Sequence, residues 1–381
     1  MAEDWEAGGF GLYVHWPFCA AKCPYCDFNS HVTRSVDHDA WRSALVGEVE
    51  KAGRNTKGRV LRSIFFGGGT PSLMVPATVD AIVQAAHRTW PVVNDLEVTL
   101  EANPTSVEAS KFADFRAAGV NRVSMGIQAL NDTDLKALGR MHTADEALKA
   151  FDIARSEFRR VSFDLMYGRQ KQSLTEWKSE LRRALGLGLD HVSLYQLTVE
   201  AGTAFGDRYA AGALRGLPDD DLSADMYAVT QDICAEYNMP RYEVSNHAKD
   251  GAESRHNLIY WRYGDYAGIG PGAHGRLTID GQRTATEQQR MPARWLTGID
   301  RQSNEKLSRN NQAVEFLMMG LRLAEGVDLE RYQALAGVPL SETKMGELAQ
   351  MGLVHSTKTK ISVTDQGFTL LNGVLRTLLV D

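Results

Sequence analysis

The feature that most constrains this chain is a regular alternation of short strand-like runs with longer helix-like segments. Gly119 and Gly188 stand where a helix would stop before the next strand. The alternation predicts parallel βαβ units, which form either an open sheet or a barrel, and both place their chemistry at the carboxyl ends of the strands. The six runs, rich in β-branched and aromatic residues, lie at 11–16, 61–68, 96–104, 121–128, 160–168 and 191–200.

The alternation ends near residue 205, and the pattern changes again near residue 310. The last part consists of helical patterns followed by a short hairpin, an order similar to that of a winged-helix module. Such a module either binds DNA or serves as a structural or protein-contact domain. We therefore predict a core of residues 1–240, a connecting segment of residues 241–305 and a winged-helix-like domain of residues 306–381.

Charge and hydropathy exclude some classes of function. The 381 residues carry a net charge of −6 and contain no block of Lys and Arg, so nucleic acid is not an expected partner. The chain has no apolar run of about 18 residues, and its start shows no basic segment followed by an apolar run. We expect a cytoplasmic protein.

Three of the four cysteines stand close together, which indicates a metal site and not a disulfide framework. Cys19, Cys23 and Cys26 form a Cys-x₃-Cys-x₂-Cys run after the first strand. Thiolates suit zinc or an iron–sulfur cluster, and three of them leave one metal position without a cysteine. His15 or His31 would complete a structural zinc site as a fourth ligand.

A run of three glycines follows the second strand. Residues 67–72 read Gly-Gly-Gly-Thr-Pro-Ser, a sequence that lets a backbone approach a ligand closely. The run lacks the lysine of a phosphate-binding loop and the spacing of a dinucleotide fingerprint. A ligand contact and a plain tight turn both remain open.

Polar residues end the later strands. Glu101, Gln128 and Asp164 fall at or near strand ends, and Arg140 follows Gln128 by twelve residues. Each alone is as consistent with a strand-end cap or an ion-pair partner. Together they would line one rim, where Arg140 would bind a carboxylate.

The segment VHWPFCAAKCPYCDF closely resembles the cluster loop of radical S-adenosylmethionine (SAM) enzymes. The resemblance implies a partial (β/α)₆ barrel and a 4Fe–4S cluster held by Cys19, Cys23 and Cys26. The open iron would be chelated by the amino and carboxylate groups of SAM. In that family, one-electron reduction cleaves the carbon–sulfur bond and yields methionine and a 5′-deoxyadenosyl radical.

The resemblance extends over nearly the whole chain to the HemN/HemW group, which comprises oxygen-independent coproporphyrinogen III oxidases and their relatives. The Gly-Gly-Gly-Thr-Pro run and the GIGPGAHG segment match motifs of that group. The residues implied to bind SAM are Tyr13, Tyr25, Gly68, Gly69, Thr70, Glu101, Gln128, Arg140 and Asp164.

Two features separate the branches of the group. The oxidases resemble Cys-x₃-Cys-x₂-Cys-x-Cys, whereas Phe28 stands at the fourth cysteine position here. The segment 256–261 matches the HNxxYW motif of the HemW branch, which is associated with haem binding. By this resemblance His256, Asn257, Tyr260 and Trp261 bind haem. The alternative is that His256 makes one structural hydrogen bond and Trp261 packs in a core.

Three functions follow as hypotheses. The leading one, implied by the HemW branch, is a haem chaperone that carries the cluster and SAM and delivers haem to haem-dependent proteins. Its recipients would include membrane respiratory enzymes, and it would pair as a homodimer. The second is a coproporphyrinogen oxidase that decarboxylates propionate side chains, an activity that Phe28 argues against. The third is a structural zinc protein that binds nucleic acid through its C-terminal module.

Overall fold

A computed structural model describes residues 3–379. Two short 3₁₀ helices lie at Asp4–Ala7 and Pro71–Leu73. The strands are β1 (Phe10–Trp16), β2 (Phe18–Cys19), β3 (His31–Val32), β4 (Leu61–Gly68), β5 (Val92–Ala102), β6 (Arg122–Gln128), β7 (Arg160–Tyr167), β8 (His191–Gln196), β9 (Arg241–Glu243), β10 (Asn246–Ala248), β11 (Asp265–Ile269), β12 (His274–Ile279), β13 (Gln282–Gln288), β14 (Gln302–Lys306), β15 (Val327–Asp328), β16 (Val354–Ser356) and β17 (Lys360–Val363).

The helices connect these strands and pack against them. They are α1 (His38–Asn55), α2 (Pro76–Thr89), α3 (Ser106–Ala109), α4 (Phe112–Ala117), α5 (Asp132–Ala137), α6 (Ala144–Glu157), α7 (Leu174–Leu185), α8 (Ala204–Ala210), α9 (Asp220–Glu236), α10 (Arg255–Trp261), α11 (Pro292–Leu296), α12 (Arg309–Gly320), α13 (Leu329–Ala336), α14 (Glu342–Gln350), α15 (Asp365–Thr369) and α16 (Leu371–Leu379).

One large sheet organises the chain. Its strand order is β14-β13-β12-β11-β1-β4-β5-β6-β7-β8-β10-β9. The central strands from β11 to β8 are parallel, and the strands beyond them on each side are antiparallel. Within residues 3–379, β14 and β9 are free edges, so the sheet does not close. The predicted α/β fold with a partial barrel is confirmed, because the six predicted strands are β1 and β4 to β8.

The largest deviations from the predicted strand limits occur in β5 and β8. β5 begins at Val92, four residues before the predicted start at residue 96, because Val92 pairs with Leu61 of β4 across a register shift. β8 ends at Gln196 and not at residue 200, because its neighbour β7 ends at Tyr167, the residue that pairs with Gln196. Both deviations follow from pairing with another strand, which local sequence does not encode.

Local signals explain where the helices begin and end. α6 and α7 each start with a capping box, formed by Thr143 with Glu146 and by Ser173 with Glu176. Gly119 has a φ of 97°, a left-handed conformation that suits glycine after a helix. No helix within residues 3–379 is both long and apolar enough to cross a membrane.

The C-terminal part has a sheet and a hydrophobic core of its own. Its order of elements is α12, β15, α13, α14, β16 and β17, and the small sheet has the order β15-β17-β16. This is the arrangement of a winged-helix-like domain, as predicted. Leu317, Ile361 and Val374 are fully buried in its core. The segment 241–305 supplies β9 to β14 to the large sheet, and the division of the chain at residues 240 and 305 stays a prediction.

Candidate functional site

One face of the parallel sheet is polar, which is unusual because strands buried on both faces are normally apolar throughout. Glu101 of β5 lies beside Ser124 of β6, which lies beside Ser162 of β7. Farther along, Asp164 of β7 lies beside Ser193 of β8. This face borders a cavity of about 240 Å³. The cavity is lined by Phe65, Thr99, Glu101, Arg122, Ser124, Asp164, His191, Ser193, Tyr195, Glu243, Val244, Ser245, Asn246, Ser254, His256, Asn257, Tyr260 and Trp261.

Helix α10 forms the opposite wall of this cavity. Its Ser254 cap accepts a hydrogen bond from the amide of Asn257, and Glu97 of β5 accepts from the amides of Arg255 and His256. These bonds fix the start of α10 against the sheet. The four residues predicted to bind haem therefore line the same cavity as Glu101 and Asp164, two of the residues predicted to bind SAM.

Two carboxyl groups dominate the electrostatics of the cavity. Glu101 accepts a hydrogen bond of 3.2 Å from the amide of Gly68, and Asp164 accepts one of 3.0 Å from the hydroxyl of Ser124. Burial, and secondly the charge of Asp164, raise the pKa of Glu101 to about 8. Burial raises the pKa of Asp164 to about 6, against the opposing hydrogen bonds of Ser193 and Ser124. At neutral pH the pair thus holds about one proton, and a cation or a hydrogen-bond donor would favour its ionised form.

Replacing Glu101 with glutamine is expected to stabilise the protein at alkaline pH. The pKa of Glu101 rises from 4.5 to about 8 on folding, so the folded chain holds a proton that the unfolded chain has lost between these values. Stability of the wild type therefore falls as pH rises through that window. Urea titrations should show Glu101→Gln more stable by about 5 kcal/mol at about pH 9 and nearly equal at about pH 4. The exposed Glu305→Gln is the control, and a gain that does not depend on pH would contradict the prediction.

The glycine run packs directly onto the root of the cysteine loop. The amides of Gly69 and Thr70 donate to the carbonyls of Trp16 and Phe18, at 2.7 and 2.9 Å. A Cβ atom at Gly69 would lie 2.8 Å from both carbonyl oxygens, and Gly68 has a φ of 108°. Both positions therefore require glycine.

The three clustered cysteines lie partly exposed in the loop that begins with β2. The hydroxyl of Thr70 donates to the sulfur of Cys19, and the guanidinium of Arg140 donates to the sulfur of Cys23, each at 3.4 Å. Burial raises the pKa of the Cys19 and Cys26 thiols. Within the described chain no group of three His, Cys, Asp or Glu side chains is arranged so that it could hold a metal ion.

Asn103 joins several predicted residues and was not itself predicted. Its side-chain oxygen accepts from Arg140 at 2.6 Å, and its amide nitrogen lies 3.3 Å from the hydroxyl of Thr70. Arg140 also donates to the carbonyl of Gly126 at 2.8 Å. A Cβ atom at Gly126 would lie 3.0 Å from the side-chain nitrogen of Gln128 and 3.4 Å from a guanidinium nitrogen of Arg140. The two side chains therefore meet at Gly126. Asn103 directly follows β5, and a polar residue at a strand end was the signal that could have found it.

Tyr25 and Tyr13 complete the set of residues predicted to bind SAM. Burial raises the pKa of the Tyr25 phenol, which interacts with Arg140 and Cys23. The Tyr13 hydroxyl lies 3.0 Å from Nδ1 of His15, whose Nε2 lies 2.9 Å from the carbonyl oxygen of Asn29. Both ring nitrogens of His15 are therefore occupied, which disfavours His15 as a fourth zinc ligand.

His256 is the most buried of the four residues predicted to bind haem. Its ring stacks on Phe65 at 4.5 Å and on Tyr13 at 5.8 Å between centroids. Burial lowers the pKa of His256 to about 3, so the imidazole is neutral at pH 7. Within residues 3–379, neither Nδ1 of His256 nor Nε1 of Trp261 has a hydrogen-bond partner. Both nitrogens are therefore available for a hydrogen bond to a ligand or to water.

The predicted residues thus form one contiguous network, although their roles are still predictions. The amide of Gly68 links the cavity at Glu101 to the glycine run, and Thr70 links that run to Cys19. Arg140 links Cys23 to Gly126 and Asn103. The ring of Tyr13 lies beside Gly67 of the glycine run and stacks on the ring of His256.

Comparisons with known proteins agree with this arrangement. Residues 13–184 match the Radical SAM superfamily, and residues 307–370 match the HemN C-terminal domain. Heme chaperone HemW of Escherichia coli is 36% identical, with 97% of this chain and 98% of that protein covered. Radical S-adenosyl methionine domain-containing protein 1, mitochondrial, of Bos taurus is 40% identical, with 97% of this chain and 87% of that protein covered.

A solved structure shows the same fold. The coproporphyrinogen III oxidase HemN of Escherichia coli superimposes with a TM-score of 0.79, covering 97% of this chain and 90% of that one, at 21% identity. At this identity the superposition supports the architecture and not the reaction. With the relatives above, it leads to one conclusion: the chain belongs to the radical SAM superfamily and, within it, to the HemN/HemW group.

Proposed function

We propose that the protein is a haem chaperone, which binds haem and delivers it to haem-dependent proteins while carrying a 4Fe–4S cluster and SAM. The observation that carries the proposal is the position of the HNxxYW segment. His256, Asn257, Tyr260 and Trp261 line one cavity with the residues proposed for SAM, and two of their nitrogens have no partner in the described chain. Relatives named heme chaperone HemW, similar over nearly the full length, support this assignment.

The cysteine loop fits a 4Fe–4S cluster. Cys19, Cys23 and Cys26 would supply three thiolates, the soft donors that such clusters use. Thr70 and Arg140 already donate hydrogen bonds to two of these sulfurs, and donors of this kind tune clusters in proteins. When bound with SAM, such a cluster supplies one-electron cleavage of a carbon–sulfur bond.

The polar residues around the glycine run fit SAM. The backbone at Gly68 and Gly69 allows close approach, and Glu101 and Asp164 offer carboxylates to hydroxyl groups and to cationic groups. Arg140 and Gln128 would bind SAM from the side of the cysteine loop. The ionised carboxyls would attract the positive sulfonium compound, and its binding would in turn lower their pKa values.

Haem would be held by the α10 side of the site. A neutral, buried imidazole is a suitable iron ligand, and His256 is the candidate here. Tyr260 and Trp261 stand 4.5 Å apart between ring centroids and offer aromatic surface to a porphyrin. The cavity of about 240 Å³ is smaller than the pockets that enclose drug-sized ligands, so haem would insert only an edge or would displace α10.

The experiment is a haem titration of anaerobically reconstituted protein, in which the Soret absorbance measures binding. Wild type should bind about one haem per chain, and His256→Ala should weaken uptake about tenfold or more because the imidazole that would hold the iron is lost. His256→Phe should weaken it equally, since phenylalanine keeps the stacking and removes the nitrogens.

Controls separate ligation from packing and from surface binding. His87→Ala removes an exposed histidine of α2 and should not change uptake. Retained uptake by His256→Phe would favour the structural interpretation of His256. Absence of stoichiometric haem in wild type would refute the chaperone proposal, and protoporphyrinogen formed from coproporphyrinogen III would establish an oxidase despite Phe28.

The proposal extends to partners and location. Haem-accepting proteins, among them membrane respiratory enzymes, would be the recipients, and a homodimer is the proposed carrying form. We propose a cytoplasmic location, although relatives named as mitochondrial are among the similar proteins. Fractionation and size-exclusion chromatography with and without haem test these two points.

A further inference from the structure

A turn of the C-terminal domain reaches the site. The turn follows α12, where Leu323 forms a β-bridge with Glu243 and the amide of Ala324 donates to the carbonyl of Tyr242 at 2.9 Å. These backbone contacts place Arg322 beside the haem motif. Its guanidinium carbon lies 5.7 Å from the centroid of the Trp261 ring.

Arg322 differs from the other arginines of this region in having no carboxylate partner. Within residues 3–379 it forms no ion pair, and its guanidinium donates to the carbonyl of Met318 in the preceding helix α12. Arg322 is half-buried, and burial lowers the pKa of the guanidinium. A half-buried guanidinium without an anionic partner can therefore bind an acidic group. Arginines paired nearby are Arg262 with Glu325, Arg276 with Glu315 and Arg331 with Asp4.

The neighbouring acid does not neutralise this charge. Glu243 lies near enough to interact with Arg322, but its carboxyl accepts a hydrogen bond from Asn246 and is not in ion-pair contact with the guanidinium. Burial raises the pKa of Glu243 to about 7, so it is partly neutral at physiological pH. The guanidinium is therefore left for an acidic group from outside the chain.

We infer that Arg322 binds a propionate carboxylate of haem seated against Tyr260 and Trp261; this inference rests on the proposed function. A guanidinium offers parallel N–H donors that match a carboxylate. Nε1 of Trp261, in the ring beside Arg322, is a second donor and lacks a partner within the described residues. The C-terminal domain then takes part in haem selection and does not merely support the core.

The test compares haem with haem dimethyl ester, which differs only in its capped propionates. Both are titrated into reconstituted protein in the same detergent buffer. Wild type should bind haem about tenfold more tightly than the ester, the factor expected for a hydrogen bond to a charged group. Arg322→Gln should weaken haem binding about tenfold and leave ester binding unchanged, so the preference disappears.

Two further variants make the result specific. Arg322→Lys keeps the charge without the planar donors and should retain part of the preference. Arg262→Gln, which breaks the adjacent ion pair with Glu325, should leave the preference intact. Equal weakening of both ligands by Arg322→Gln, or the same loss in Arg262→Gln, would overturn this inference alone. If wild type bound no haem, the proposed function would fail as well.

Discussion

Cys23→Ser is expected to abolish the iron–sulfur absorbance of anaerobically reconstituted protein. With three thiolates available, loss of one leaves two soft ligands, which do not hold a cubane cluster. Iron content should fall from about four atoms per chain to below about one. Cys19→Ser and Cys26→Ser should behave alike. Ultraviolet–visible spectra and iron and sulfide assays of each variant make the measurement.

The fourth cysteine provides a matched control. Cys234 is fully buried in α9 and belongs to the hydrophobic core, away from the cysteine loop. Cys234→Ala removes a thiol of the same chain and should retain the full cluster. A cluster that survives Cys23→Ser, or bound zinc with no iron in wild type, would refute the assignment of the three cysteines and favour the structural zinc alternative.

The sequence allowed the local parts of the site to be predicted, because their residues are neighbours in the chain. The cysteine loop spans only eight residues, and the glycine run begins with the last two residues of β4. The chemistry of each segment allows few residue types: the cysteine loop needs soft sulfur donors, and the glycine run needs residues without a Cβ atom. The contact between Thr70 and Cys19 shows that the two meet, as strands β1 and β4 are neighbours in the parallel sheet.

The sequence predicted only part of the polar face of the sheet. Glu101 and Asp164 were predicted because they lie at or near strand ends. The alternation within strands, for example Thr99 with Glu101 or His191 with Ser193, marks a whole inner face. A period of two in strands expected to be apolar throughout is the signal for a polar cavity.

Contacts between distant segments could not be predicted. Asp265 begins a strand that pairs in parallel with β1, although the two strands lie some 250 residues apart. The position of α10 over the cavity depends on Glu97, and that of Arg322 on a bridge between Glu243 and Leu323. Such pairings are decided by the packing of whole elements, and local propensities do not contain them.

Asp265→Asn is expected to lower the free energy of unfolding of the core by about 3–5 kcal/mol, the usual effect of removing one partner from a buried ion pair. Asp265 is fully buried at the start of β11. Its carboxylate lies 2.5 Å from Arg59 and 3.5 Å from Arg283, and it accepts hydrogen bonds from Thr278. Asparagine has nearly the same shape, so the loss would be one of charge.

The two arginines explain why the effect is large. Arg59 and Arg283 are themselves buried, at 8% and 2% exposure, so each would keep its charge in a poorly solvated environment. Arg283 also approaches Asp4, which pairs with Arg331 of the C-terminal domain. The network thus joins the large sheet to the N-terminal 3₁₀ helix and to the C-terminal domain. Its loss should weaken the packing of both parts against the sheet as well as the core.

Unfolding in guanidinium chloride, monitored by circular dichroism and tryptophan fluorescence, would measure the change in the free energy of unfolding. The control is Glu236→Gln, which breaks the exposed ion pair with Arg182 and should change stability by less than about 1 kcal/mol. If Asp265→Asn destabilises the protein no more than this control, the network does not stabilise the fold as its burial indicates. A larger loss of stability would show that the segment with the HNxxYW sequence is held by charge at its β11 end, in addition to the hydrogen bond that Glu97 accepts at the start of α10.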